Sequence, residues 1–280
     1  MMADTRRVDL SEEEKAEPYA RYYYREPAPV PGAVLDAING GPIDPREALP
    51  FREIIRLQEP GYLPKETGWC AMPDNTRYAA VLTDMPGVTG DMLDWWFCWH
   101  ALEPLRYRIW YPGSHTGNSV KDRARLEDES LPFRERYRNN PQYPVEDIGI
   151  GPDILSITFV PPRDFGFDES RFEEARVATI ICAVVGSVTK KVTHTRMCHF
   201  VRTAAAGVEM RSRFWIGGNL RVNRLPERSP VNLIINTRLV RKLAIPRDTA
   251  RQMALHCAQE YSNLAAILPE LYRDYGRCRC

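Results

Sequence analysis

Nothing in this sequence is apolar for long enough to span a bilayer. The longest uncharged apolar run, Val177 to Thr189, falls short of the roughly 20 residues a transmembrane helix needs, and its β-branched residues favour a strand. An excess of charge is missing too. The 280 residues carry a formal net charge of +1 with both signs interspersed, which leaves no electrostatic footprint for nucleic acid or an anionic surface. Seven cysteines (Cys70, Cys98, Cys182, Cys198, Cys257, Cys278 and Cys280) are scattered without a C-x-x-C spacing, a pattern of reduced thiols rather than a disulfide framework. Cys278 and Cys280 are read as inert thiols near a frayed end. There is no Walker loop, no G-x-G-x-x-G and no internal repeat, and the segment from Met1 to Lys15 lacks the apolar core of a secretory signal. These absences predict a soluble, cytoplasmic protein, binding neither nucleic acid nor membrane, whose partner is a small molecule or another subunit.

Proline and aromatic residues, by contrast, crowd the first quarter of the chain. Between Glu17 and Pro73 they cut the backbone into turns and extended pieces, with one helical segment expected from Pro45 to Leu57. We read residues 1–75 as an irregular N-terminal extension that wraps the main domain or meets a second subunit in a homodimer. Residues 76–280 are read as the main domain.

In that second part apolar residues alternate as in strands. The expected strands are Tyr78–Leu82, Tyr107–Tyr111, Ile154–Val160, Val177–Val188, Thr193–Thr203 and Val208–Ile216. Ala204 to Gly207 makes a hairpin turn between the last two. Thr195, Met197, His199 and Val201 then share one face, as do Val208, Met210, Ser212, Phe214 and Ile216. A helix is expected from about Arg247 to Tyr272, opened by Pro246 and closing near Gly276. Strands first and one amphipathic helix last give an α+β class, an antiparallel sheet gripping a long C-terminal helix over a cavity.

Histidine is scarce: only His100, His115, His194, His199 and His256 are available. On the last helix Met253, Cys257, Leu264, Leu268 and Leu271 form an apolar stripe, with Glu260 inside it and His256 at its edge, roughly 40° away. The i, i+4 spacing brings an imidazole and a carboxylate to one point, as a metal site requires. Taken alone, the pair reads more simply as a helical histidine beside a glutamate that reaches a buried arginine. Asp91 to His100 is an aromatic helical segment whose tryptophans read as packing, and His115 follows Pro112-Gly113, where a loop presents side chains to a cavity.

The run Trp95-Trp96-Phe97, Arg106-Tyr107, Trp110-Tyr111-Pro112 and His115-Thr116-Gly117 resembles the 2,4-diacetylphloroglucinol hydrolases and the related phloretin hydrolases. The likeness continues through Pro144-Val145-Glu146-Asp147, Cys198-His199-Phe200, Ser212-Arg213-Phe214-Trp215 and His256-x-x-x-Glu260. It implies a helix-grip domain of the Bet v 1 type with a zinc ion held by His115, Glu146, His256 and Glu260. The ion would polarise an acyl carbonyl or activate water, and manganese or iron suits the same ligands. The implied reaction is hydrolysis of the carbon–carbon bond between an acyl group and a phloroglucinol ring, in a phenolic ketone substrate. His199 is the implied proton donor, with Tyr107 and Asn118 against the ring hydroxyls. A further pocket tyrosine of the family is not evident. Phe214 or Trp215 takes its place, which favours a larger aryl-propanoyl substrate such as phloretin. Two other classes fit a helix-grip fold, a non-catalytic carrier of polyketides or lipids and a polyketide-modifying cyclase or lyase using the same site.

Overall fold

The computed structural model describes residues 7–276; Cys278 and Cys280 lie outside them. Three short helices, α1 (Glu12–Ala16), α2 (Arg21–Tyr24) and α3 (Gly32–Asn39), open the chain. The expected helix over Pro45–Leu57 is instead a turn followed by a 3-10 segment, Phe51–Gln58. Pro50 is the reason: it has no N–H to give a helix passing through it and biases Leu49 to extended backbone. The first strand of the sheet, β1 (Gly68–Ala71), lies before residue 75, so the N-terminal segment contributes an edge strand.

β2 (Arg77–Pro86) leads into the aromatic helix α4 (Gly90–Trp99), capped by the Thr89 hydroxyl on the Met92 amide at 3.3 Å. Gly90 is obligatory here, since a Cβ would strike the main-chain carbonyl of Ala178. The expected strand at Tyr107–Tyr111 is overturned. Pro104 starts a helical turn, α5 (Pro104–Arg108), and the Ile109 amide closes onto the Leu105 carbonyl. Leu105, Tyr107, Arg108 and Ile109 are all buried, so the apolar alternation in the sequence does not mark an exposed and a covered face.

Then follow β3 (His115–Gly117), α6 (Arg123–Glu127), α7 (Phe133–Tyr137), β4 (Val145–Glu146) and β5 (Asp153–Val160). The long strands β6 (Val177–Ser187), β7 (Val192–Ala204) and β8 (Gly207–Val222) come next. Helices α8 (Pro230–Ile235) and α9 (Arg238–Ala244) lead to α10 (Thr249–Tyr275). The eight strands of the described residues pair antiparallel in the order β1-β2-β8-β7-β6-β5-β4-β3. Register shifts at Val185/Gly186 and Thr193/Thr195 add the local bends that curl a sheet.

Two cores result. On the inner face Val81, Ile181, Val201, Met210 and Phe214 join Cys257, Tyr261, Leu264 and Leu268 of α10. Ala250, Ala254 and Ala258, one helical turn apart and fully buried, let the helix approach closely. On the outer face Cys182, Cys198, Phe200 and Trp215 are covered by Leu49, Ile54, Leu57 and Phe165. The charges beneath that cover are paired. Glu66 meets Arg211 at 2.6 Å and also Arg213, which holds its carboxyl down at about 2 despite burial. The N-terminal segment also clasps the far end of α10, through Tyr19 against Trp99 and Tyr275 and through Arg21 on Asp274 at 2.6 Å. No helix among the described residues is long and apolar enough to cross a membrane.

Candidate metal centre

Between the inner sheet face and α10 lies a cavity of about 460 Å³. One wall is α10, whose 3.6-residue period puts His256 and Glu260 on the same side. The facing wall is β3–β4, where antiparallel register sets His115 directly opposite Glu146. The indole N–H of Trp110 donates to the Glu260 carbonyl at 3.1 Å, and the Asn263 amide donates to the Trp110 carbonyl at 2.8 Å. These bonds tie the segment that carries His115 to the helix that carries its partners.

His115 Nε2 lies 3.4 Å from His256 Nε2, 3.5 Å from Glu260 Oε2 and 3.7 Å from Glu146 Oε2, and His256 Nε2 lies 3.7 Å from Glu260 Oε2. Ligands about 2.0–2.1 Å from a tetrahedral ion stand about 3.3 Å apart, so the three-residue cluster of His115, His256 and Glu260 has the spacing of a coordination shell. Nδ1 of His115 faces the Tyr107 carbonyl at 3.3 Å. That contact places the proton on Nδ1 and leaves the Nε2 lone pair toward the cluster.

Burial, together with the neighbouring His256, pushes His115 well below the ordinary imidazole range, and burial takes His256 down to about 4. Both are therefore neutral donors. The carboxyls move the other way. Burial raises Glu146 to about 7, moderated by the Tyr107 hydroxyl, and raises Glu260 well above its usual value, with the Glu146 charge adding to it. Two buried carboxyls beside two neutral imidazoles lack a counter-charge, and a divalent cation would supply it. The donor set thus fits a metal.

Of the residues singled out in the sequence, Tyr107, Asn118, Glu146, His256 and Glu260 line the cavity. His115 stands against them, its ring stacked on Tyr107 at 4.1 Å. The Tyr107 hydroxyl is engaged by Glu146, and Asn118 offers its amide to His100 Nδ1 at 3.4 Å. His199 is not on the wall. It lies behind Tyr261, whose hydroxyl is 2.9 Å from Nε2, while Nδ1 is 2.8 Å from the Ser212 hydroxyl. Burial takes His199 down to about 3, so it is neutral at pH 7 rather than titrating near neutrality.

Tyr261 is the residue that sequence reasoning missed, although it falls on the stripe of Cys257, Leu264 and Leu268, four residues after the first. Tyr261 lines the cavity from the helix side. Phe214 also lines the cavity, whereas Trp215 turns outward and donates to the Leu49 carbonyl at 2.7 Å. His100, buried in a box of Trp96, Phe97, Tyr107 and Trp110, was not assigned a role either.

The chain is 34% identical to a phloretin hydrolase from Eubacterium ramulus, over 96% of this chain and 94% of that one. It is 30% identical to a 2,4-diacetylphloroglucinol hydrolase from Pseudomonas protegens, over 92% of this chain and 85% of the other. Among solved structures, norcoclaurine synthase from Thalictrum flavum is similar at a TM-score of 0.33 and 10% identity, over 75% of this chain and 90% of that one. The family described as DAPG hydrolase PhiG domain matches residues 49–273, and with the two hydrolase relatives this establishes that the chain belongs to that family.

Proposed function

We propose that this protein is a zinc-dependent hydrolase that cleaves the carbon–carbon bond between an acyl group and a phloroglucinol ring. The products are a less acylated phloroglucinol and a carboxylic acid. The observation that carries this reading is the convergence of His115, His256 and Glu260, with Glu146 beside them, at the wall of a cavity large enough for a substituted polyphenol. A pure carrier has no use for two buried carboxyls with strained protonation.

The substrate chemistry fits these groups. One ring hydroxyl tautomerises to a ketone, so the acyl group becomes part of a β-diketone. That tautomerisation puts a proton on the acyl-bearing ring carbon; water then adds to the acyl carbonyl, the bond to the ring breaks, and its electron pair passes through the ring to the ketone oxygen, which takes up the proton that water gives up. Bound zinc would supply Lewis acidity and lower the pKa of water at the acyl carbon. His115, Glu146, His256 and Glu260 would hold it. Tyr107 and Asn118 orient the ring hydroxyls. Proton delivery to the ring carbon runs through the Tyr261 hydroxyl, with the neutral imidazole of His199 behind it relaying the proton and Ser212 fixing that imidazole.

Val192, Leu220, Ile235 and Val240 also line the cavity, and this apolar surface suits an aryl-propanoyl group better than acetyl. The test is incubation with phloretin and with mono- and diacetylphloroglucinol, followed by identification of the products. A phloroglucinol plus the matching carboxylic acid supports the reading; recovery of every ketone unchanged by metal-replete protein defeats it.

A further inference from the structure

His100 sits at the end of α4, fully enclosed, and its ring contacts Trp96, Phe97, Tyr107 and Trp110 at centroid distances of 5.3 to 5.6 Å. Packing alone would call for phenylalanine in such a box. The imidazole instead brings two nitrogens, and one of them is used: Nδ1 meets the side-chain amide nitrogen of Asn118 at 3.4 Å. Burial holds the ring neutral, down to about 3, so it carries one proton and one lone pair. With the Asn118 amide donating to Nδ1, the proton is on Nε2.

Two buried polar atoms are then left over. Neither His100 Nε2 nor Asn118 Oδ1 has a partner, and both residues line the cavity. An unpaired donor and an unpaired acceptor, buried on two residues that line one cavity, are unfavourable unless a ligand satisfies them. Their complement is a group that donates and accepts at once. A phenol hydroxyl does both; an aryl ether accepts only.

We propose that His100 is a specificity-determining residue that, together with Asn118, forms a subsite for a free phenol hydroxyl and rejects its O-alkyl ether. The imidazole locks the Asn118 amide so that its oxygen is turned to the ligand, and adds the Nε2 donor. This rests on the proposed action on polyphenolic ketones, and extends it to which ring substituents are admitted. Polyphenols with an alkylated hydroxyl at that position must be dealkylated by a preceding reaction before this protein accepts them.

The test uses metal-replete full-length protein and two readouts. Calorimetry compares phloroglucinol with its mono-, di- and trimethyl ethers, and turnover compares acylphloroglucinols with the corresponding ethers. Wild-type protein should favour the free hydroxyl by roughly ten- to a hundredfold, in KM rather than kcat. His100→Phe, which keeps the aromatic box and removes both nitrogens, should bring the preference down to about threefold or less with metal content unchanged. His100→Gln, whose amide again offers a donor and an acceptor, should recover part of it, an outcome that mere packing would not produce. An unaltered preference in His100→Phe, or equal binding of phenol and ether by wild type, overturns the proposal while leaving the hydrolase reading intact. Selective binding of free phenols without turnover of any ketone would defeat the hydrolase reading and leave this subsite standing.

Discussion

The hydroxyl of Tyr107 hydrogen-bonds to Oε2 of Glu146 across the strand pair that also sets His115 opposite that glutamate. This bond opposes the burial that raises the Glu146 carboxyl to about 7. Tyr107→Phe should therefore lift Glu146 further and weaken zinc binding at pH 7 by roughly tenfold or more. Competition with a coloured chelator measures this, and raising the pH to 8.5 should restore much of the lost affinity. Unchanged affinity in Tyr107→Phe would separate Glu146 from the metal.

Zinc uptake by the unaltered protein should depend on pH with a definite sign. The imidazoles are neutral down to about 4 in the case of His256, and lower than usual for His115, so they do not compete with the ion. Glu146 and Glu260 do, because their raised values keep protons on them near neutrality. Affinity should rise as pH climbs toward 7 and above, with protons released on binding. Calorimetry in buffers of different ionisation enthalpy counts those protons; zero release at pH 6.5 would contradict the assignment.

The pairing of Tyr261 with His199 predicts a split between metal content and turnover. Tyr261→Phe and His199→Ala should each reduce kcat by about a hundredfold or more while retaining zinc. Because the two groups act in series, the double variant should be little worse than the poorer single one. Loss of zinc in His199→Ala would show that the residue holds the ion rather than a proton.

Stability away from the site should rest on Glu66. Its folded value of about 2 lies below the usual 4.5, so the unfolded chain binds more protons between these limits. The contribution, about 3 kcal/mol at most, is present above pH 4.5 and is lost as pH falls toward 2. Glu66→Gln should cost about 2–4 kcal/mol at pH 7, since Arg211 and Arg213 stay buried without their counter-charge. Denaturant melts at pH 7 and pH 3 check this, the difference between variant and parent shrinking at the lower pH.

The sequence was most legible where pattern and period coincide. The alternation of Met197, His199 and Val201 put His199 on the face that meets α10, and the 3.6-residue stripe found that helix with Glu260 inside it. Legibility failed at Tyr107, where Pro104 turns an apparently alternating segment into a helical turn. It failed again at Pro50, which replaces a continuous helix with a turn and a 3-10 segment. The shell around His115 was out of reach for another reason. Glu146 faces His115 through the register of two very short strands, and residues 141 apart in sequence bring two imidazoles to 3.4 Å. Such convergence is a property of tertiary pairing, which no local pattern encodes; only the resemblance to known hydrolases pointed to it. Tyr261 and His100 had local signals, a place on the buried stripe and an imidazole in an aromatic run, but each reads as packing until the cavity beside it is seen.

The most direct measurement is turnover of an acylphloroglucinol by one preparation before chelation, after chelation, and after returning stoichiometric zinc, with metal content determined at each stage. The account predicts about one ion per chain in active protein, loss of cleavage on its removal and recovery on its return, with His256→Ala and Glu260→Ala failing to recover. Full cleavage by protein shown to be free of metal would contradict it.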